Sequence, residues 1–418
     1  MREKAGLLVG MDICEDYVQL TYYDNELLSP ESVSRGEGEE QYLIPARLAY
    51  RKSKNDWIIG DELDKEESGD IVEVQDFIKY ACLYEEIRVC DKTYKAEQLM
   101  KIFLEALLNV LNSFYPFNEI EYLGITFPTV TKEMSFMMNA VLKELGFEKE
   151  KYILLTHDEA FLYYTINQKI ELWLNDTALF ELEEDGLHFR ILTISKKLEP
   201  ITANISKKEK AEKLNKSLVR SNQEESANLF HTLSLMALEE STVSTIYAVG
   251  RGFIDAWADG VLRKLSPGRR IFRGQNLYAK GACLAAKDKT SDEPTDIVLM
   301  EEDKTTVGFS LMAVKDGKNT EITLLKPALK WYEAETEIDL IIKDEDELGI
   351  QINDFITKKT SQRFISFSGI STAEAGLTRI GLSLKFTNRD TCIIKASDMG
   401  FGSFVPTTNR VWELIWEK

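Results

Sequence analysis

The chain has 418 residues, of which 44% are hydrophobic, 10% aromatic and 29% charged, with a formal net charge of −19. That length exceeds one ordinary core, so two or three domains are expected. The acidic balance disfavours nucleic acid and anionic membrane surfaces, since both would repel it.

Leu7–Asp12 reads as a buried strand, and Tyr17–Tyr23 alternates as its hairpin partner, closed by turn residues at Asp24–Glu26. Tyr42–Tyr50 and Trp57–Gly60 form a second small β unit, and Ile87–Tyr94 a hairpin turning at Asp91 and Lys92. Leu99, Ile102, Phe103, Ala106, Leu107 and Val110 share one helical face. A strand at Tyr122–Phe127 precedes a helix over Thr131–Leu145, with Thr131 as its N-cap and Gly146 as its stop. Tyr152–Leu155 is another strand, and His157–Tyr164 opens the next helix. Thr177–Leu192 reads as two strands with a tight tip at Glu183, Glu184, Asp185 and Gly186.

Beyond it, Lys207–Lys216 is charged, a solvated helix or mobile connection. Leu229, Phe230, Leu233, Met236 and Ala237 mark an amphipathic helix, and Ile246–Gly250 a strand ending in Gly250-Arg-Gly252 and running into a helix. The polar stretch from Lys287 to Thr295 contains Pro294 and reads as a domain boundary. From Asp296 the pattern is short strands, among them Glu337–Ile342, Phe364–Phe367, Arg379–Phe386 and Thr391–Ala396, the signature of an all-β sandwich. Trp412 and Trp416 are expected to cap it.

Five cysteines (Cys14, Cys82, Cys90, Cys283, Cys392) show no paired spacing, which fits a reduced, cytoplasmic setting. His157, His188 and His231 lie far apart without cysteine partners in sequence, so no metal is expected. No secretory signal follows Met1-Arg-Glu-Lys4, and no apolar run reaches membrane-spanning length.

This order of elements resembles the actin-like ATPase fold, and within it the DnaK-type heat-shock chaperones. Gly10–Asp16 resembles their first phosphate loop, Gly-Ile-Asp-Leu-Gly-Thr-Thr, and the tip at 183–186 stands where a second, Gly-Gly-Gly-Thr, is found. Gly124–Pro128 resembles their Val-Thr-Val-Pro-Ala segment, Ala248–Gly252 the Val-Gly-Gly turn on the adenosine side, and Ala279–Ala282 the later Ala-Tyr-Gly-Ala-Ala helix start. Asp296–Met300 resembles the interdomain linker, and Phe367–Ile370 with Leu377–Phe386 the late strands of the peptide-binding domain, without a helical lid. The resemblance implies an α/β actin-like (ribonuclease H-like) two-lobed domain over 1–290, then a β-sandwich over 296–418.

The departures carry the functional expectation. Phosphate loops need small residues so that backbone N–H groups reach the anion. Here Cys14, Glu15 and Asp16 occupy the first loop, and Glu183, Glu184 and Asp185 the second. Each carboxylate beside a phosphate would cost on the order of a few kcal/mol at an effective dielectric near 20. Several together would cancel a micromolar affinity, worth about 8 kcal/mol. Asp12 survives and Glu181 replaces the second loop's Asp; these are either a Mg²⁺ pair or acids at strand ends facing solvent. Asp64, with Lys65 beside it, falls where the family's catalytic Lys lies. Only about fifty residues separate the hairpin from Gly250, too few for the subdomain that clamps adenine. The expected cleft is therefore vestigial, built from Gly10, Asp12, Glu15, Asp16, Glu181, Glu183, Glu184, Asp185, Gly250, Gly252 and Gly281. The expected function is a non-catalytic, chaperone-like pseudo-ATPase that binds a protein or extended peptide, with no cofactor. A Mg-ATP-binding chaperone with altered loops, or an actin-like assembly protein, are the alternatives. Arg269–Asn276 is either an anion or partner site or a loop balancing acidic surface.

Overall fold

The computed structural model describes residues 6–34, 42–82, 86–114, 119–207, 210–343, 347–367, 377–403 and 406–418. Met1–Lys4, Lys208 and Glu209 of the charged stretch, the Cys82 side chain, and Ser368–Ile370 lie outside the described residues. The protein is mixed α/β with a strand-rich C-terminal region, and it divides into two compact units.

The first unit spans Met1–Ile194 and Ile205–Thr295. Its first sheet contains β1 (Leu7–Ile13), β2 (Tyr17–Asp24), β3 (Ser29–Ser32), β4 (Ile120–Phe127) and β5 (Tyr152–Thr156), in the order β5-β4-β1-β2-β3. The β1–β2 and β2–β3 pairs are antiparallel, whereas β1–β4 and β4–β5 are parallel. A second sheet contains β6 (Asp176–Glu183), β7 (Gly186–Ser195), β8 (Ile201–Lys207, of which 205–207 belong to this unit), β9 (Val243–Val249) and β10 (Arg270–Arg273). Its order is β10-β9-β6-β7-β8, again with an antiparallel hairpin and two parallel additions. The two sheets thus share one strand order.

The helices of seven residues or more are α1 (Ala96–Phe114), α2 (Lys132–Glu144), α3 (His157–Ile166), α4 (Gln223–Leu238), α5 (Asp259–Leu265) and α6 (Leu277–Lys289), with shorter helices and helical turns between them. Thr131 caps α2 by accepting from the Met134 N–H at 3.2 Å, and Gly146 ends it at φ +87°. Thr156 and Glu159 form a capping box at the start of α3. Phe77, Phe103 and Phe127 sit in the core beside the first sheet, while Phe180, Phe230 and Phe253 pack edge-to-face beside the second.

Two local expectations are corrected. On α4 the buried positions are Ser226, Phe230, Ser234, Ala237 and Leu238, so the core-facing stripe is rotated and Met236 is 65% exposed. The small serines belong to that stripe and disguise it as polar. The charged stretch after 207 is not a free connection in its described part. Ala211 exchanges backbone bonds with Leu187, and Asn215 caps a helix at Lys216–Ser221. Among the described residues, no helix is long and apolar enough to cross a membrane.

The second unit is Asp296–Lys418 with Ser195–Asn204. In it β11 (Ile297–Leu299) pairs in parallel with Ile201–Ala203. Eight further strands follow: β12 (Val307–Lys315), β13 (Lys318–Leu325), β14 (Glu335–Lys343), β15 (Glu347–Asp354), β16 (Lys359–Ser366), β17 (Leu377–Asn388), β18 (Thr391–Asp398) and β19 (Val411–Glu417). They form two four-stranded sheets, β13-β12-β15-β16 and β14-β17-β18-β19, which share one apolar core. Trp416 is buried edge-on against Phe309 at 5.6 Å, and Trp412 packs against Phe367.

Candidate functional site

The buried charges of the first unit gather where β1 and β6 end, and α3 and α6 begin. Asp12 is wholly buried on β1, and its Oδ1 lies 2.8 Å from His157 Nε2 at the first residue of α3. The imidazole stacks on the Tyr278 ring at 3.7 Å, with 13° between the planes. The Tyr278 hydroxyl donates to Glu181 at 3.0 Å, and Arg190 Nη1 donates to the same oxygen at 2.6 Å. Arg190 Nε reaches Asp158 at 2.9 Å, whose second oxygen meets Lys207 at 2.5 Å. Asp12 and Glu181 therefore do not face each other as free acids; each is bound within one polar chain.

The electrostatics follow from that pairing. Burial alone would raise Glu181, but Arg190 and His157 outweigh it and hold the carboxyl below its ordinary range. Burial, with Glu181 beside it, pushes the Tyr278 phenol well up, so it stays a donor. Cys14 Sγ lies 3.8 Å from Asp12 and 4.0 Å from His157. The fold thus brings together a Cys, His and Asp that are far apart in sequence. Burial first, then Asp12, drives the Cys14 thiol upward, which makes it a poor nucleophile.

The two loops that stand where the resemblance places phosphate loops are joined by one side chain. Arg251 donates from Nε and from its backbone N–H to Glu183, at 2.9 and 3.1 Å. Its Nη2 reaches Asp16 at 2.5 Å, and its guanidinium lies over the Tyr17 ring. Glu184 faces Lys216 and Arg220, and Asp185 faces His188 and Lys210. Glu15 is exposed. Each tip carboxylate has a basic neighbour, so the cleft is closed by side chains more than by unbalanced negative charge. The space left between Tyr17, Glu181, Glu183, Gly250, Arg251 and Tyr278 is about 20 Å³, room for a single water.

The expected glycines sit at close backbone approaches or at a strained turn. A Cβ on Gly10 would lie 2.2 Å from the Ala279 carbonyl oxygen, and one on Gly281 only 2.0 Å from that of Ala160. Gly124 similarly abuts Ala282. These three let α6 press its backbone onto β1, β4 and α3. Gly250 takes φ +91°, where a side chain would be strained, and Gly252 meets the Leu182 side chain. Asp64 is exposed and bridged to Arg47 at 2.7 Å, and Lys65 is exposed beside it.

Arg190, Tyr278 and Arg251 were not among the residues assigned to the site from sequence, and His157 was weighed only as a metal ligand and set aside. Arg190 had a signal, a charge inside the apolar run Phe189–Leu192. The others depend on which strand ends the fold brings together.

A family profile described as Family of unknown function (DUF5716) C-terminal matches residues 29–302, and one described as Domain of unknown function (DUF8552) matches residues 304–416. Among curated proteins nothing matches.

Proposed function

The chain belongs to the DUF5716 family, and we propose that it is a non-catalytic, actin-like pseudo-ATPase that works by binding another protein or an extended peptide, in the manner of a DnaK-type chaperone. The repeated strand order supports the actin-like reading, because that fold is built from two such sheets. The observation that carries the functional reading is Arg251. It ties Asp16 to Glu183 across the two loops, so an internal ion pair occupies the ground that a triphosphate would need. The second unit offers what a peptide binder requires. Its edge strands present exposed apolar side chains, among them Ile341, Phe364 and Ile415, beside backbone groups that a further strand could pair with.

Calorimetry and thermal melting with Mg-ATP test the cleft. A nucleotide bound with micromolar Kd and supplied at millimolar concentration would stabilise the fold by about 4 kcal/mol, raising Tm by several degrees. The expected result is no binding heat and an unmoved Tm. A rise of that size, abolished by Asp12→Asn, would replace this reading with that of a nucleotide-binding chaperone.

A further inference from the structure

Strand β10 ends the second sheet. It pairs with β9 on one side, from Thr245–Arg270 to Ala248–Arg273. A groove of about 1170 Å³ runs along this terminal strand, lined by all four of its residues and walled by α5 and residues 168–172. Lys169, Arg263, Arg269, Arg270 and Arg273 line it, against the two carboxylates of Glu171 and Asp259. Arg273 is paired with Asp259 at 2.6 Å. Arg263 and Arg269 bond to backbone carbonyls of Asp259 and Leu265, and among the described residues neither pairs with a carboxylate. Lys169 and Arg270 form no ion pair among the described residues. Phe272, 43% exposed and stacked on Tyr247, adds an apolar step to the edge.

A surplus of cations here stands out on a chain of net charge −19. It borders a strand edge whose backbone groups can add another strand. Guanidinium forks suit carboxylates, which they hold through two parallel hydrogen bonds. The same arginines would repel this edge on a second copy. We propose that the β10 groove binds an acidic, extended protein segment, which adds as a strand beside Arg270–Arg273 with its carboxylates on the groove's arginines. A polynucleotide would use the charge but not the strand edge, and the rest of the acidic surface would repel it.

This inference rests on the reading of the chain as a protein-binding scaffold, and its test is separate from the Mg-ATP test. The full chain is titrated with a fluorescent peptide alternating Glu and Val, a matched Lys/Val peptide, and a single-stranded RNA. The Glu/Val peptide should bind. The joint change Lys169→Glu and Arg270→Glu, both on exposed side chains, should weaken it about tenfold or more, with a steeper loss at low salt. N-methylation of alternate peptide amides should also abolish binding. No binding of the Glu/Val peptide, equal binding of the Lys/Val peptide, indifference to the double change in a variant of unaltered Tm, indifference to N-methylation, or tighter binding of RNA would each overturn the proposal. If the peptide fails while Mg-ATP remains silent, the groove is wrong and the scaffold reading stands. If Mg-ATP binds, the scaffold reading falls whatever the peptide does.

Discussion

Arg190→Ala is expected to destabilise the protein by about 3–5 kcal/mol, the usual cost of leaving buried charges unpaired. For a unit of this size that is a fall in Tm of about 5–8 °C. The reason is positional. Glu181 and Asp158 are both buried, and Arg190 touches both. Lys207 and Tyr278 would remain as partial partners. The combined variant Arg190→Met, Glu181→Gln, Asp158→Asn should recover most of the loss, since the charges leave together. Denaturant melts at neutral pH measure both. A loss under about 1 kcal/mol would place the network among surface ion pairs and sink the argument.

The same network sets a pH dependence. Glu181 is held below its ordinary range in the folded state, so its contribution is present above the unfolded value of about 4.3 and fades as pH falls through the lower folded value. In Arg190→Ala that contribution is gone, and the acid limb of the stability profile should flatten.

Gly281→Ala should cost about 3 kcal/mol or more, at or beyond the upper end of ordinary overpacking, although it adds a single methyl group. Its Cβ would lie 2.0 Å from the Ala160 carbonyl oxygen, a backbone atom that no rotamer change can move. The contrast is Gly260→Ala on α5, where nothing lies within 4 Å. That change should be neutral or should stabilise by about 0.5–1 kcal/mol, through lower entropy of the unfolded chain. Urea midpoints of the two variants form the measurement, and equal shifts would show that the close approach is not a constraint.

Much of the fold was legible wherever local physics decides. The Thr131 cap, the Gly146 stop, the tip at 183–186 and the alternating late strands are settled by neighbours in sequence. Strand β8 was missed because Ile201–Lys207 is half polar and holds its place by pairing rather than by apolar pattern. The site was less legible still. The acids at 183–185 could be read as a repelling tip, but their basic partners come from positions 188, 210, 216, 220 and 251. No spacing rule joins Asp12 to His157 or Glu181 to Tyr278. Gly10 matched a phosphate-loop pattern and Gly281 a helix-start pattern of the same family, although a tight helix seam demands the same residue.

That seam has a mechanical consequence. Interfaces built from interdigitated side chains can shear, because rotamers exchange as the surfaces slide. Where Gly10, Gly124 and Gly281 set carbonyl against main chain, there are no rotamers to exchange. Helix α6 is keyed to β1, β4 and α3 like a bolt without play. Sliding has no lubricated plane there, and β1, β4, α3 and α6 should move as one stiff block on the microsecond-to-millisecond scale of collective motions.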